Sequence, residues 1–125
     1  MFEILLVEDD NKIRELFSRF LATKGYRVHE AKDGQEAITV AARQHFDLVL
    51  MDVKMPKLDG LSACQCIRAS SPTTKVVLIT GYHITEEMER LTKHGDVECL
   101  RKPFTFNDLS ALLDRMASGG TTIGG

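Results

Sequence analysis

The sequence predicts an α/β domain in which a parallel sheet is covered by helices on both faces. The first observation is a strict alternation of strand-like and helix-like segments, repeated five times along 125 residues. The second is the segment 46–52, whose central four residues are all apolar. An apolar run of this length between polar residues is typical of a strand buried on both faces. The apolar fraction of 43% is enough for one core.

The first half of the chain predicts three strands and two helices. Residues 2–7 are almost all apolar and form the first strand. Residues 11–25 place apolar side chains at helical spacing, with a polar cap before them and a glycine at their end. Residues 26–31 alternate in polarity, as an edge strand does, and a second helix occupies 34–44. The buried strand at 46–52 is the third.

The second half predicts two more strands and three helices. A helix at about 59–69 is stopped by a serine and a proline, and the β-branched strand 75–80 follows. A short polar helix covers 85–93 and is ended by a glycine. The strand 97–101 comes next, and apolar spacing marks a last helix from 104 to 116.

Composition excludes several classes of protein. The net charge is −2 with mixed signs throughout, so no basic surface indicates direct nucleic-acid binding. No apolar run approaches the length of a membrane span, and the start of the chain is not a signal peptide. Three cysteines without framework spacing favour a reducing compartment, the cytoplasm. We expect one domain at 1–117, followed at 118–125 by a flexible glycine-rich tail or a truncated linker.

Polar residues collect where the predicted strands end. They are Glu8 and Asp9 after strand one, Asp52 on strand three, Thr80 on strand four and Lys102 after strand five. Parallel strands end along one edge of a sheet, about 4.8 Å apart, so neighbouring ends can share a site. Each residue alone also has a structural explanation, such as a helix cap or a strand end. Their joint occurrence favours a functional site.

The types of residue in this set indicate its chemistry. Three adjacent carboxylates repel one another, and a divalent cation removes that conflict. Oxygen ligands completed by water suit Mg²⁺ best, with Mn²⁺ as the alternative. Lys102 and Thr80 add a positive charge and a hydroxyl donor, which together suit a small, multiply charged anion. One carboxylate would then be a candidate nucleophile, since carboxylates are established acceptors of phosphoryl groups.

Four motifs resemble those of the receiver domains of two-component response regulators. They are Leu5-Leu6-Val7-Glu8-Asp9-Asp10, Asp52-Val53-Lys54-Met55-Pro56, Thr80-Gly81 and Lys102-Pro103-Phe104. The resemblance runs from about Phe2 to Met116 with the motifs in order. It implies a flavodoxin-like, doubly wound sheet of five parallel strands in the order 2-1-3-4-5 with five helices, as in chemotaxis regulators.

The resemblance also implies a role for each carboxylate. Asp52 would be the phosphoacceptor, taking its phosphoryl group from a sensor histidine kinase or a phosphotransfer protein. Asp9 and Asp52 would ligate Mg²⁺ directly, and Lys54 would contribute its backbone carbonyl. Glu8, longer than the aspartate often found there, would act through water. The domain would catalyse only its own phosphorylation and dephosphorylation.

The remaining matched positions would serve the phosphoryl group. Thr80 and Lys102 would bind its oxygens, and Gly81 would leave room for them. The Lys102-Pro103 bond would be cis. Lys54 and Tyr82 would flank the path of attacking water and slow self-dephosphorylation.

The chain departs from the family at the switch position, where Cys99 replaces an aromatic residue. A cysteine cannot swing as a ring does, so we expect the signal to travel through the backbone around Thr80 and the fourth helix. A small packing residue is favoured over a redox sensor at Cys99.

The resemblance implies two interaction surfaces. A kinase would dock near Asn11, Ile13 and Arg14. The fourth helix, fifth strand and fifth helix would form the output face, through which a homodimer could assemble. The polar residues predicted on that face are Glu86, Glu87, Glu89, Arg90, Lys93, Arg101, Asn107 and Asp108.

Three other functions fit the sequence less well. A haloacid-dehalogenase-type aspartyl phosphatase needs a second Asp two residues after the nucleophile, where this chain has Lys54. A flavodoxin-like cofactor binder needs a phosphate loop after strand one, where Glu8 and Asp9 would repel phosphate. A degenerate receiver, acting in protein interactions without phosphate, would not need the reactive positions that are all present here. The sequence names neither the output nor the kinase.

Overall fold

The computed structural model describes residues 1–81 and 83–118. Tyr82 and most of the predicted tail, residues 119–125, lie outside the described residues. Five strands alternate with five helices, in the predicted order. The strands are β1 (Glu3–Val7), β2 (Arg27–Ala31), β3 (Leu48–Asp52), β4 (Lys75–Thr80) and β5 (Val97–Arg101). The helices are α1 (Asn11–Thr23), α2 (Gly34–Arg43), α3 (Gly60–Ser70), α4 (Glu86–Leu91) and α5 (Phe106–Ser118).

The strands form one parallel sheet in the order β2-β1-β3-β4-β5, which confirms the predicted topology. Strand β3 is central, and all five of its residues are buried. Its neighbours are β1, where Val7 pairs with Met51, and β4, where Ile79 pairs with Asp52. The chain reverses its direction of winding between β1 and β3, the position at which open α/β sheets place their sites.

Two apolar layers cover the sheet, because successive side chains of a strand point to opposite faces. On one face, Val49 and Met51 of β3 pack with residues of α2 and α3, such as Ile67. On the other face, Leu48 and Leu50 pack with α1 and α5. The sheet is thereby buried on both sides, as the apolar runs predicted.

Side-chain caps begin the first four helices. Asp10, Asp33, Asp59 and Thr85 each accept a hydrogen bond from a backbone N–H three residues later. At the start of α5, the Thr105 and Asp108 side chains each bond the other residue's backbone N–H, at 3.0 Å. The polar cap predicted for α1 is Asp10.

The fourth helix is shorter than predicted. The α-helix ends at Leu91, and residues Thr92–His94 form one turn of 3₁₀ helix. The following Gly95 has φ +79°, a conformation that ends the helix. In the described part of the chain, no helix is long and apolar enough to cross a membrane.

Candidate functional site

The register of the sheet brings the predicted site residues together. Val7 lies beside Met51, so Glu8 follows β1 at the level where Asp52 ends β3. Thr80 pairs with Arg101 on β5, and Lys102 follows directly. The Lys102 N–H also donates to the Thr80 carbonyl at 2.8 Å, which extends the ladder by one residue.

Asp52 is buried, and its two carboxylate oxygens have different partners. The Lys54 backbone N–H donates to Oδ1 at 3.1 Å, and Lys102 Nζ donates to Oδ2 at 3.1 Å. The Asp52 side chain is 11% exposed, whereas the Lys102 side chain reaches it from the surface and is 47% exposed. The carboxylate is thus oriented by two donors at the rim of the sheet.

Glu8 is a buried carboxyl with an altered proton affinity. Its Oε2 accepts a hydrogen bond from the Asp10 backbone N–H at 2.9 Å, which favours the charged form. Burial outweighs this effect and raises the pKa of Glu8 to about 7, with further contributions from a hydrogen bond with Asp9 and from the charges of Asp52 and Asp9. Glu8 therefore binds a proton more readily than an ordinary glutamate does.

Asp9 is exposed and faces the loop after β3. It lines a cleft of about 400 Å³ with Lys54, Met55 and Pro56. Asp9, predicted as a direct metal ligand, thus lines the same cleft as Lys54, which is predicted to offer its backbone carbonyl.

Thr80 and Gly81 lie at the end of β4. Thr80 is 2% exposed and, with Val53 and Lys54, lines a cleft of about 600 Å³ beside α4. A Cβ added at Gly81 would meet only the Lys102 Cδ, at 4.0 Å. There is therefore open space between Gly81 and the Lys102 side chain. The Lys102-Pro103 peptide is cis, as the resemblance implied.

These residues fit a hard divalent cation. Within residues 1–81 and 83–118, no three His, Cys, Asp or Glu side chains form a group arranged to hold a metal ion. The Asp9 and Asp52 carboxylates and the Lys54 carbonyl would supply oxygen donors, and water would complete the mixed set that Mg²⁺ accepts. The charges of Asp52 and Asp9, which add to the effect of burial on the pKa of Glu8, are charges that such a cation would offset.

Gly60 is not predicted as a site residue from the sequence, although it packs against the backbone of Asp52. A Cβ at Gly60 would lie 2.3 Å from the Asp52 carbonyl oxygen and 2.8 Å from Val53 Cα. The Gly60 N–H donates to the Val53 carbonyl at 2.7 Å. The start of α3 thus packs directly against the backbone of Asp52, the candidate phosphoacceptor. The signal available in the sequence is the Asp59-Gly60 pair that follows Pro56.

Cys99 is half-buried on β5 and packs against the layer formed with α2 and α3. Burial raises the pKa of its thiol, and the charge of Glu98 adds to the effect. A thiol with a raised pKa is a poor nucleophile at neutral pH. This environment supports a packing role rather than redox sensing.

The two predicted interaction surfaces are largely exposed. All eight polar residues predicted on the output face are exposed. On α1, Asn11 and Ile13 are exposed, but the Arg14 side chain turns inward and is only 17% exposed.

The family model for the response regulator receiver domain matches residues 4–114. The chain belongs to this family. Among curated proteins, the receiver domain is 39% identical over 114 residues to the transcription factor SKN7 of Saccharomyces cerevisiae, covering 91% of this chain and 18% of that protein. It is 36% identical to the response regulator MprA of Mycolicibacterium vanbaalenii, covering 86% of this chain and 47% of that protein. The receiver domain thus spans less than half the length of these relatives, which come from yeast and bacteria.

Solved structures agree with this assignment. The chemotaxis protein CheY4 of Vibrio cholerae superposes with a TM-score of 0.80 at 32% identity, covering 92% of this chain and 98% of that one. The response regulator protein TrrA of Thermotoga maritima, solved in complex with Mg(2+)-BeF, gives a TM-score of 0.77 at 30% identity, covering 91% and 97%. The fold is therefore that of a chemotaxis-type receiver.

Proposed function

We propose that this receiver domain is a phosphoacceptor in which Asp52 takes a phosphoryl group from a sensor histidine kinase or a phosphotransfer protein. The observation that carries the proposal is the setting of Asp52, buried at the end of β3 with Lys102 Nζ and the Lys54 N–H each 3.1 Å from its oxygens. A carboxylate oriented by fixed donors beside a cation is suited to attack phosphorus.

The transfer would form one bond and break another. An Asp52 oxygen attacks the phosphorus, the P–N bond of the donor phosphohistidine breaks, and the imidazole nitrogen keeps the electron pair. The product is an acyl phosphate. Lys102 offsets the charge of the moving group, and the Thr80 hydroxyl donates to a phosphoryl oxygen.

Mg²⁺, when bound, would neutralise charge on the phosphoryl oxygens. Asp9, Asp52 and the Lys54 carbonyl would hold it directly, and Glu8 would act through water. The mixed oxygen donors support this arrangement.

Partners follow from the two exposed surfaces. The kinase or phosphotransfer protein would dock at the start of α1, near Ile13, which is 41% exposed. The α4–β5–α5 face would carry the output and could support a homodimer. We place the domain in the cytoplasm, where three free cysteines are kept reduced, and assign it no direct binding to nucleic acid or membrane.

The test is phosphorylation by acetyl phosphate and Mg²⁺, followed by intact-protein mass spectrometry. The wild-type domain should gain one phosphoryl group, and Asp52→Asn should gain none. Asp114→Asn, a change of an exposed carboxylate on α5, should be labelled normally. Persistent labelling of Asp52→Asn would refute the acceptor assignment. A wild-type domain that is never labelled, even by a kinase, would favour the degenerate receiver.

A further inference from the structure

We propose that Arg14 is a positioning residue that fixes the β1–α1 turn and thereby sets the geometry of the divalent-cation site. The turn carries Glu8 and Asp9 on consecutive residues. The inference rests on the proposed function for the identity of the cation, but its main structural consequence can be measured without metal.

The Arg14 guanidinium reaches three acceptors from three parts of the fold. Its Nη1 donates to the Glu8 carbonyl at 2.7 Å, and its Nη2 donates to Asn11 Oδ1 at 2.6 Å. Its Nε donates to Glu30 Oε1 on β2 at 3.1 Å. Hydrogen bonds from a charged donor are the strong class, and the Arg14 side chain that makes them is only 17% exposed.

The contact with the Glu8 carbonyl has a specific consequence. That carbonyl belongs to the planar peptide group that joins Glu8 to Asp9, so holding it restricts the ψ torsion of Glu8 and the φ torsion of Asp9, on which the directions of both side chains depend. The Glu8 N–H is held on the other side by the Ala31 carbonyl at 3.1 Å. Arg14 and β2 therefore clamp Glu8 from both ends.

The charge of Arg14 is already matched by Glu30, which leaves geometry as its main influence on the cation site. A lysine would keep the charge but lose the planar fork that serves three acceptors at once. This difference separates a positioning role from an electrostatic one.

The experiment compares Arg14→Ala and Arg14→Lys with a matched control on the same helix. Arg19→Ala is the control, because Arg19 is 77% exposed and pairs with Glu15 within α1. Isothermal titration calorimetry gives the Mg²⁺ dissociation constant, and NMR hydrogen exchange without metal reports on the Glu8 and Asp10 amides.

Both Arg14 variants should raise the Mg²⁺ dissociation constant about 10-fold, which is the usual effect of losing a residue that orients the metal ligands. Exchange at the Glu8 and Asp10 amides should become faster in both. Arg19→Ala should stay within about twofold of the wild type in both measurements, and its melting temperature serves as a reference for general destabilisation.

Two results would overturn the proposal. One is an Arg14→Ala domain whose amide exchange and Mg²⁺ affinity match the Arg19→Ala control. The other is full recovery of Mg²⁺ affinity in Arg14→Lys, which would assign the effect to charge. If the wild-type domain binds Mg²⁺ but is never phosphorylated, the proposed function fails. The Mg²⁺ affinities and amide exchange rates of the variants then still test the positioning role of Arg14. If it binds no Mg²⁺, unchanged amide exchange in Arg14→Ala overturns the positioning role.

Discussion

At the scale of the residue, the backbone positions Asp52 as much as its side-chain partners do. The next residue, Val53, is bound on both sides, since its N–H donates to the Ile79 carbonyl at 2.8 Å and its carbonyl accepts from Gly60. A side chain added at Gly60 would push against the Asp52–Val53 backbone and thereby displace the Asp52 carboxylate.

Gly60→Ala should therefore destabilise the domain strongly. The new Cβ would lie 2.3 Å from the Asp52 carbonyl oxygen, and a clash with backbone cannot be relieved by a rotamer. We expect a loss of about 3 kcal/mol in the free energy of unfolding by urea denaturation. Gly81→Ala is the matched control and should cost less than about 1 kcal/mol, because its nearest contact is 4.0 Å away. Equal losses in the two variants would contradict this explanation.

The lifetime of the phosphoryl group should depend on residues that flank the path of water. Lys54 is exposed two residues after Asp52, and Tyr82 occupies the corresponding place after Thr80 in the sequence. We expect the Lys54→Ala, Tyr82→Ala double variant to lose its phosphoryl group several-fold faster than the wild type. The decay of the phosphorylated protein, followed by mass spectrometry, measures this, and an unchanged rate would dismiss the idea.

At the scale of the element, α2 depends on its cap. Asp33 is buried and accepts the Glu36 N–H at 2.8 Å, and its Oδ2 lies 3.5 Å from Lys57 Nζ. The hydrogen bond from Glu36 lowers the pKa of Asp33 below its ordinary value of 3.8, and the charge of Lys57 adds to the effect. Asp33→Ala should cost about 1–2 kcal/mol of unfolding free energy at pH 7.

The pH dependence of this cost follows from the direction of the shift. Because the pKa of Asp33 is lower in the folded than in the unfolded chain, its stabilisation is complete above about pH 4. The stabilisation is lost as the pH falls through the folded pKa, so the gap between wild type and Asp33→Ala should narrow in acid. Asp33→Asn keeps an acceptor for the cap, so it should retain much of the stability at pH 7. A gap that widens in acid would reject this account.

The conformational change that follows phosphorylation should involve the β4–α4 segment, because Cys99 cannot swing inward as an aromatic ring does. We expect structures of the free and beryllofluoride-bound domain to differ between Gly81 and Lys93. The short α4 has six residues and one buried side chain, Met88, so few contacts oppose its repacking. Identical backbones over this segment would show that the signal takes another route.

At the scale of the whole molecule, the sheet edge concentrates negative charge that the fold must tolerate without metal. A cation that binds only the folded state should therefore stabilise the entire domain. At 100 times its dissociation constant, Mg²⁺ should add about 2.7 kcal/mol to the free energy of unfolding. Asp9→Asn should abolish most of this gain in urea titrations, and Asp114→Asn should preserve it. A gain that survives in Asp9→Asn would place the cation elsewhere.

Much of the fold was predictable because its signals are local. The buried run before Asp52 and the helical spacing of apolar residues in the first and last helices depend on neighbours in sequence, and the structure confirms the strand and helices that they predict. The end of α4 was predicted less well, because the tightening of its last turn depends on how Gly95 leads into β5. The pairing of Lys102 with Asp52 spans 50 residues, and it was predictable only because parallel strands end along one edge.

The sequence by itself determined the order of the elements and the types of residue at the strand ends, because periodicity, capping and strand composition act over a few residues. Only the tertiary structure decided that Gly60 bears on Asp52 and that Arg14 turns inward to hold the Glu8 carbonyl. Such contacts depend on how separate elements pack, and no local pattern specifies the distance between them. The chemistry of Asp52 therefore follows from its residue type, whereas its orientation follows from the neighbours that the fold brings to it.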